Sequence, residues 1–151
     1  MTLEVRLAAP QDMDEVFALR HKVFVLGQDG PAERERDDID ARCDHVVALL
    51  DGVVVGTGRL VPGRVSTQGS LEQAPVATVG RMAVADPARG TGVGARLLLL
   101  LEQQARERGV AVVELHAQVH AMGFYVRAGY EQFGDVYREA GIEHVGMHKQ
   151  L

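Results

Sequence analysis

The sequence predicts a mixed α/β (α+β) fold in a single domain that spans residues 1–151. Short apolar or alternating runs, typical of strands, are interleaved with stretches whose apolar residues recur at helical spacing. Gly, Pro and Asp-Gly sequences separate these runs. A chain of this length matches one typical domain, and it buries roughly two-thirds of its unfolded surface on folding.

The composition excludes several classes of protein. The chain is 46% apolar and 25% charged, which is ordinary for a soluble globular protein. Its 21 acidic and 16 basic residues give a net charge of −5, whereas a general nucleic-acid binder usually carries the opposite sign. We therefore expect no nucleic-acid partner.

No stretch of the sequence predicts membrane contact or export. The apolar run Leu97–Leu101 is far shorter than the roughly 20 residues that cross a bilayer. The N-terminus lacks the basic and then apolar segments of a secretory signal. Cys43 is the one cysteine and cannot form an internal disulfide, which fits a reducing compartment. We expect a cytoplasmic protein without a membrane partner.

The first third of the chain predicts a strand, a helix and a polar loop. Leu3–Leu7 alternates apolar and polar residues, as a strand does. Asp12, with Glu15 three residues later, predicts a helix start at which the Asp12 oxygen accepts from free backbone amides. The helix then ends at Gly27. Residues 29–44 are rich in acidic side chains and predict a loop, which either attracts a cationic amine or is simply solvated.

The middle of the chain predicts three strands. His45–Leu50 is a continuous apolar run, typical of a strand buried on both faces. Asp51-Gly52 is a strong two-residue hairpin signal, so Val53–Val61 should return antiparallel. A surface loop over residues 62–75 then leads to a strand at Val76–Val84.

The last third predicts helices between strands. A glycine-rich turn at residues 89–94 opens a helix that runs to about Arg108, with a well-covered apolar stripe. The later predicted elements are a strand at Val110–His116, a short helix at His120–Ala128, and a strand pair at Tyr130–Tyr137 and His144–Lys149.

The glycine-rich turn predicts an anion site. Free backbone amides at residues 90–95 would point outward, and the helix dipole adds positive potential. Together they suit a pyrophosphate, which glycines let approach the backbone because they carry no Cβ. Arg89 adds a fixed positive charge beside the turn.

Two kinds of phosphate site fit such a turn. Gly90, Gly92 and Ala95 match the dinucleotide fingerprint G-x-G-x-x-G/A, and Glu114 follows about 20 residues later. That fingerprint should follow a strand directly and open a fold of repeated βαβ units. Here Asp86-Pro87-Ala88 intervenes and too little chain remains. A dinucleotide-binding module, which would bind NAD and not CoA, is therefore the weaker alternative.

The turn also resembles a family signature. Arg89-x-x-Gly92-x-Gly94 resembles the R/Q-x-x-G-x-G/A motif of the GNAT superfamily of acyl-CoA-dependent N-acetyltransferases. Upstream, Val79–Pro87 looks like the family's fourth strand and the loop that follows it. Downstream, Gln118–Tyr130 is similar to its N-x-x-A-x-x-F/L-Y-x-x-x-G-F/Y segment. Three further segments resemble the ElaA-like branch: Leu19-Arg20-His21-Lys22-Val23-Phe24-Val25-x-x-Gln28, Ala117-Gln118-x-His120 and Gly141-Ile142-x-His144-x-x-Met147.

The resemblance implies a fold and an activity. The fold is a central, mostly antiparallel sheet of six to seven strands flanked by about four helices, with the fourth and fifth strands splayed apart. The activity is transfer of an acetyl group from acetyl-CoA to a primary amine, by direct attack in a ternary complex and without a metal. The acceptor is a small-molecule or peptide amine. A non-catalytic acyl-CoA sensor or interaction domain on the same fold is the alternative.

The resemblance also implies roles for individual residues. Tyr125 occupies the position of the general acid that protonates the CoA thiolate, and reference pKa values of about 10 and 8.5 make that transfer reasonable. An amide near Ala83 or Val84 would polarise the acetyl carbonyl. The residues implied to contact CoA are Met82, Ala83, Val84, Arg89, Gly90, Thr91, Gly92, Val93, Gly94, Ala95 and, in place of the usual Asn, Gln118.

The sequence leaves the general base and the oligomeric state open. Val76–Val84 contains no carboxylate, so His116, His120 or water could take the amine proton. No motif places a base beside Cys43, which argues against a cysteine nucleophile. No spacing of His and Cys predicts a metal site. An exposed sheet edge at the C-terminus would permit a homodimer.

Overall fold

A seven-stranded mixed sheet forms the centre of the computed structural model, which describes residues 2–28, 37–66 and 69–151. Its strand order is β1-β2-β3-β6-β7-β9-β8, and β4 and β5 form a separate two-stranded ribbon. The strands are β1 (Leu3–Leu7), β2 (Asp44–Leu50), β3 (Val53–Val61), β4 (Arg64–Val65), β5 (Leu71–Glu72), β6 (Ala77–Val84), β7 (Val112–Gln118), β8 (Glu131–Glu139) and β9 (Ile142–Gln150). The α-helices within these described residues are α1 (Met13–Arg20), α2 (Val93–Glu107) and α3 (Met122–Arg127).

The predicted fold class is confirmed. All pairs within the seven-stranded sheet are antiparallel except β6 with β7. The predicted hairpin between β2 and β3 is present, with Asp51 and Gly52 at φ 50° and 84°, the left-handed values that a tight hairpin turn requires. The predicted loop over residues 62–75 contains the β4–β5 ribbon.

Helices cover both faces of the sheet. The main core lies between the sheet and α2, whose buried positions are Leu97, Leu98, Leu101 and Ala105. These four residues form the predicted apolar stripe, but Leu99 is 61% exposed, so the helix is less fully covered than expected. A second core lies under α1 on the opposite face, where Val16 and Leu19 meet residues of β2, β3 and β6.

The N-terminal helix starts differently from the prediction. The Asp12 carboxylate does not cap α1. It accepts hydrogen bonds from Arg6 at 2.7 and 3.2 Å and from the Ala9 N–H at 2.7 Å, and so holds a 3₁₀ turn at Pro10–Asp12. After Arg20 the chain continues as a π-helix over His21–Leu26. Residues 29–36 of the acidic stretch lie outside the described residues.

Candidate functional site

A cleft opens between β6 and β7. The two strands pair only from Ala77 to Val79 on β6 and from Val113 to Leu115 on β7. Farther on, the edge of Gly80–Val84 that faces β7 has no strand partner among the described residues, although its other edge stays paired with β3. We call the space between Gly80–Val84 and His116–Gln118 the β6–β7 cleft. This is the predicted splay: the strands that the resemblance counts as the fourth and fifth are β6 and β7 in the numbering used here.

A β-bulge in β6 explains the divergence. Arg59 of β3 pairs with Gly80 and Thr57 pairs with Ala83, so two residues of β6 lie opposite the one residue between them. Arg81, at the bulge, has a φ of 52°, which a side chain rarely adopts. A bulge bends and twists its strand, and here it turns β6 away from β7.

The residues after the bulge expose backbone to the cleft. Met82 packs against the main core, above Gly58, where a Cβ would lie only 2.6 Å from the Met82 sulfur. Ala83 belongs to the second core and is almost completely buried. Because these side chains point to the two faces of the sheet, the free polar groups of the backbone edge face the cleft.

The glycine turn follows β6 and leads into α2. Gly90 and Gly92 have φ values of 77° and 83°, and a Cβ on either would meet no atom within 4 Å. Helix α2 begins at Val93, and its first backbone bond runs from the Arg96 N–H to the Gly92 carbonyl. Within the described residues, the amides of Gly90–Ala95 therefore have no backbone acceptor, and they form an exposed positive helix end.

Side chains fix the shape of this turn. Arg89 donates from Nε to the Val84 carbonyl at 3.1 Å, and its Nη1 lies 2.8 Å from an Asp86 carboxylate oxygen. The Thr91 hydroxyl donates to the Ala88 carbonyl. These contacts tie the turn to the end of β6.

Gly94 brings three parts of the site together. A Cβ at Gly94 would lie 3.4 Å from the Phe124 ring and 3.9 Å from a methyl group of Val84. The start of α2 therefore lies close beside α3 and the end of β6. The sequence motif alone gave no reason for this glycine beyond phosphate approach.

Tyr125 follows Phe124 on α3. Its ring makes edge-to-face contacts with Phe124 and Tyr130, with centroids 5.0 and 5.9 Å apart. Burial raises the pKa of the Tyr125 phenol to about 12. Its hydroxyl has no hydrogen-bond partner among the residues that the structure describes. Tyr125 therefore keeps its proton at neutral pH and has it free to donate.

Gln118 ends β7 and is engaged by its neighbours. Its side-chain amide exchanges two hydrogen bonds with that of Gln28, at 3.1 and 2.9 Å. His120 Nε2 lies 2.6 Å from Oε1 of the Gln118 side chain. The pair joins the end of β7 to the chain that follows the π-helix. In the sequence, Gln28 stands out only as part of a family motif, not as the partner of Gln118.

His116 lies on the opposite wall of the cleft from the bulge. Its Nδ1 is 2.7 Å from the Tyr137 hydroxyl oxygen, and the two rings pack edge to face. Burial lowers the pKa of His116 and raises that of Tyr137 to about 12. The sequence does not single out Tyr137, because β8 carries no motif and reaches His116 only through its pairing with β9, which lies between β8 and β7.

Paired charges lie beside β3. Asp40 accepts from Arg20 at 2.8 Å and from Arg59 at 2.9 Å, and Arg59 also binds Asp37 at 2.7 Å. Burial would raise the pKa of Asp40, but the two guanidinium groups outweigh it and lower the value to about 2. Asp37 and Asp40 are thus ion-paired inside the protein, which weakens the interpretation that they attract a cationic amine.

Other candidate features can be placed in the same way. Burial raises the pKa of the Cys43 thiol to about 11, and its Sγ donates to the Ile39 carbonyl, so it is not poised as a nucleophile. In the described part of the chain, no three His, Cys, Asp or Glu residues are arranged to hold a metal ion. No helix there is long and apolar enough to span a membrane.

Comparison with known proteins identifies the family. The family model described as an acetyltransferase (GNAT) domain matches residues 15–151. The chain belongs to the GNAT acetyltransferase family. Its mostly antiparallel sheet, with one parallel pair among the described strands, also excludes the dinucleotide alternative, because a GNAT sheet lacks repeated βαβ units.

Relatives and solved structures agree with this family. The uncharacterized N-acetyltransferase YjcF of Bacillus subtilis is 32% identical over 142 residues, covering 92% of this chain and 93% of YjcF. Protein ElaA of Escherichia coli is 31% identical over 138 residues, covering 90% and 86%. The ElaA crystal structure superposes with a TM-score of 0.80, covering 99% of this chain and 100% of ElaA. An acyl-CoA N-acyltransferase from Pseudomonas aeruginosa has a TM-score of 0.80 at 29% identity, covering 98% and 99%. The expected ElaA-like relationship is confirmed.

Proposed function

We propose that residues 1–151 form one catalytic unit that transfers an acetyl group from acetyl-CoA to a primary amine by direct attack in a ternary complex. One observation carries the proposal: Gly94 lies so close to Phe124 and Val84 that a Cβ on it would be 3.4 Å and 3.9 Å from their side chains. This proximity puts the glycine turn, the helix that carries Tyr125 and the open end of β6 at one place.

The free backbone suits the two polar parts of CoA. The pantetheine arm would lie along Met82, Ala83 and Val84 and pair with their free edge as an added strand. The pyrophosphate would accept hydrogen bonds from the amides of Gly90–Ala95, where the helix dipole favours negative charge. Arg89, tied to the turn through Asp86, adds positive charge beside it. Gln118 would border the CoA arm from the end of β7, where its bonds to Gln28 and His120 fix it.

The reaction would follow from this placement. The neutral amine attacks the thioester carbonyl, a C–N bond forms, and an amide of Ala83 or Val84 stabilises the oxyanion. Collapse of the intermediate breaks the C–S bond, and the CoA thiolate takes the proton of Tyr125. Desolvation raises the pKa of the Tyr125 phenol, and it raises that of a thiolate in the same site as well. Because both pKa values rise, the difference between the pKa of the phenol and that of the CoA thiol stays modest.

The setting of the reaction belongs to the same proposal. The acceptor is a small-molecule or peptide amine, and the single cysteine favours the cytoplasm. At the end of the sheet, β8 is an exposed edge strand that would permit a homodimer.

Thermal unfolding with acetyl-CoA, and with NAD as the control, tests the binding half of the proposal. Acetyl-CoA at about 100 times its Kd should stabilise the protein by roughly 2.7 kcal/mol, a shift of several degrees in Tm. NAD should give no shift. No shift with acetyl-CoA, or a shift with NAD alone, would refute the proposed donor.

Release of free CoA in the presence of a panel of primary amines tests the catalytic half. A CoA thiol signal that depends on both acetyl-CoA and an amine supports acetyl transfer. Stabilisation by acetyl-CoA without release for any amine would instead identify a non-catalytic acyl-CoA sensor.

A further inference from the structure

The position of His116 distinguishes it from the other histidines. The last β6–β7 pair joins Val79 to Leu115, so His116 is the first β7 residue beyond the pairing. Leu115 and Ala117 point into the main core, so the His116 ring points to the other face. Across the cleft, the nearest described atom to a Cβ on Gly80 would be Arg59 Nε, at 4.0 Å. The imidazole thus lies at the point where the two strands separate.

Aromatic residues of β8 and β9 hold the ring. The Tyr137 hydroxyl oxygen lies 2.7 Å from His116 Nδ1. The Tyr137 ring in turn stacks on His144, with centroids 5.8 Å apart and planes 24° apart. Phe133 meets the imidazole edge to face at 6.5 Å. Since Nδ1 is engaged by Tyr137, Nε2 is the nitrogen left to exchange a proton.

We propose that His116 is the catalytic base that removes a proton from the ammonium form of the acceptor, and that Tyr137 is the positioning residue that orients its ring. The inference rests on the acetyl transfer proposed above and names the base for that reaction. His120 is the less suitable histidine, because its Nε2 binds the side chain of Gln118, which the proposed function places beside the CoA arm.

The protons balance along this route. His116 Nε2 takes one proton from the ammonium group, while Nδ1–H donates to the Tyr137 oxygen. The amine lone pair then forms the C–N bond, the C–S bond breaks, and Tyr125 protonates the thiolate. The second proton of the amine nitrogen restores Tyr125, and His116 releases its proton to water. The net products are the amide, free CoA thiol and one proton.

The charges around the ring agree with a neutral base. Burial is the largest influence and lowers the pKa of His116, and His144 on β9 lowers it further. Glu139 on β8 and Glu114 on β7 itself raise it, but the net shift is downward. An imidazole with a lowered pKa is unprotonated at neutral pH and ready to accept a proton.

Two acceptors of different basicity test the role. Ethylamine is protonated at pH 7 and needs a base, whereas hydroxylamine is neutral there and does not. His116→Gln should lower kcat/KM for ethylamine by about 100-fold or more at pH 7. The loss should shrink as the pH approaches the pKa of the ethylammonium ion, because the amine is then already neutral. Its rate with hydroxylamine should stay near that of the wild type. His148→Gln is the matched control, since His148 lies on the same face but away from the cleft, and should keep both rates.

Several results would overturn the inference. These are an equal loss with both amines, no loss with ethylamine, or the same loss in His148→Gln. An NMR titration of the imidazoles gives a second readout that needs no acceptor: Tyr137→Phe should move the His116 titration and leave that of His148 in place. An unmoved His116 titration would refute the pairing. Failure of the wild type itself to acetylate either amine, by contrast, would refute the proposed acetyl transfer.

Discussion

Val79 and Leu115 form the last residue pair between β6 and β7, and the cleft begins directly beyond them. Both side chains are buried in the main core, at 3% and 2% exposure, so the point of divergence is anchored by packing. The bulge at Arg81 then turns β6 aside while β7 continues along β9 to Gln118. A fixed origin and a bent strand therefore define the cleft.

Gly92→Ala should weaken acetyl-CoA binding beyond its cost to stability. Gly92 has a φ of 83° at the start of α2, and Gly109 has a φ of 75° just after its end. A Cβ on either meets no atom within 4 Å, so each substitution should cost about 1 kcal/mol of backbone strain. Only the first also places a methyl group where the pyrophosphate would approach.

Gly109→Ala is therefore the matched control for this prediction. Calorimetric titration with acetyl-CoA should give a Kd raised about tenfold in Gly92→Ala, corresponding to roughly 1.4 kcal/mol, and an unchanged Kd in Gly109→Ala. Equal affinities in the two variants would contradict the anion site at this turn.

Tyr125→Phe should separate turnover from stability. The Tyr125 hydroxyl has no partner among the described residues, so its removal should change the free energy of unfolding little. Removal of a general acid typically lowers the rate by about 10²-fold or more, so kcat should fall while the Kd of acetyl-CoA stays the same. Steady-state kinetics together with thermal unfolding measures both effects.

Tyr130→Phe should show the reverse behaviour. The Tyr130 hydroxyl donates to the buried carboxylate of Glu102 at 2.8 Å, which Lys149 also binds at 3.0 Å. Loss of a hydrogen bond to a charged group should cost about 1.5 to 3 kcal/mol, with kcat largely retained. If Tyr125→Phe kept full turnover, Tyr125 could not be the acid.

Local signals in the sequence predicted most of the elements. Alternation gave β1 and Asp51-Gly52 gave the β2–β3 hairpin, because each depends on neighbouring residues. The bounds of β7 were predicted less well: the strand covers Val112–Gln118, whereas the prediction was Val110–His116. Its pairing with β9 extends to Gln118 opposite His144, and no local pattern reports a partner so distant along the chain.

The candidate site could be predicted only in part for the same reason. The glycine turn and Tyr125 lie in short motifs, so spacing was enough to place them. The bulge at Arg81 depends on its register against β3, and the contact of His116 with Tyr137 depends on three adjacent strands. Asp12 shows the limit of a local rule, because the guanidinium of Arg6 on β1 takes the carboxylate that was expected to cap a helix.

Asp40→Asn should destabilise the protein strongly. Asp40 is buried with the side chain of Arg20 and also binds Arg59, so its neutralisation leaves buried positive charge with fewer partners. Breaking such a pair typically costs about 3 to 5 kcal/mol. Asp44→Asn is the matched control, because its ion pair with Arg108 is partly exposed and should contribute about 1 kcal/mol or less. Urea unfolding of the two variants measures the difference, and equal losses would contradict the buried network.

The same carboxylate should make stability depend on acid pH. Interaction with Arg20 and Arg59 holds the pKa of Asp40 at about 2 in the folded protein, below its ordinary value of 3.8. The unfolded chain therefore binds the proton first as the pH falls, and stability that is fully present above about pH 4 is lost between pH 4 and pH 2. Asp40 alone should account for about 2 kcal/mol of this loss. Urea unfolding across that range should show a steeper loss in the wild type than in Asp40→Asn, which lacks the titrating group. Parallel curves would mean that other carboxylates cause the acid sensitivity.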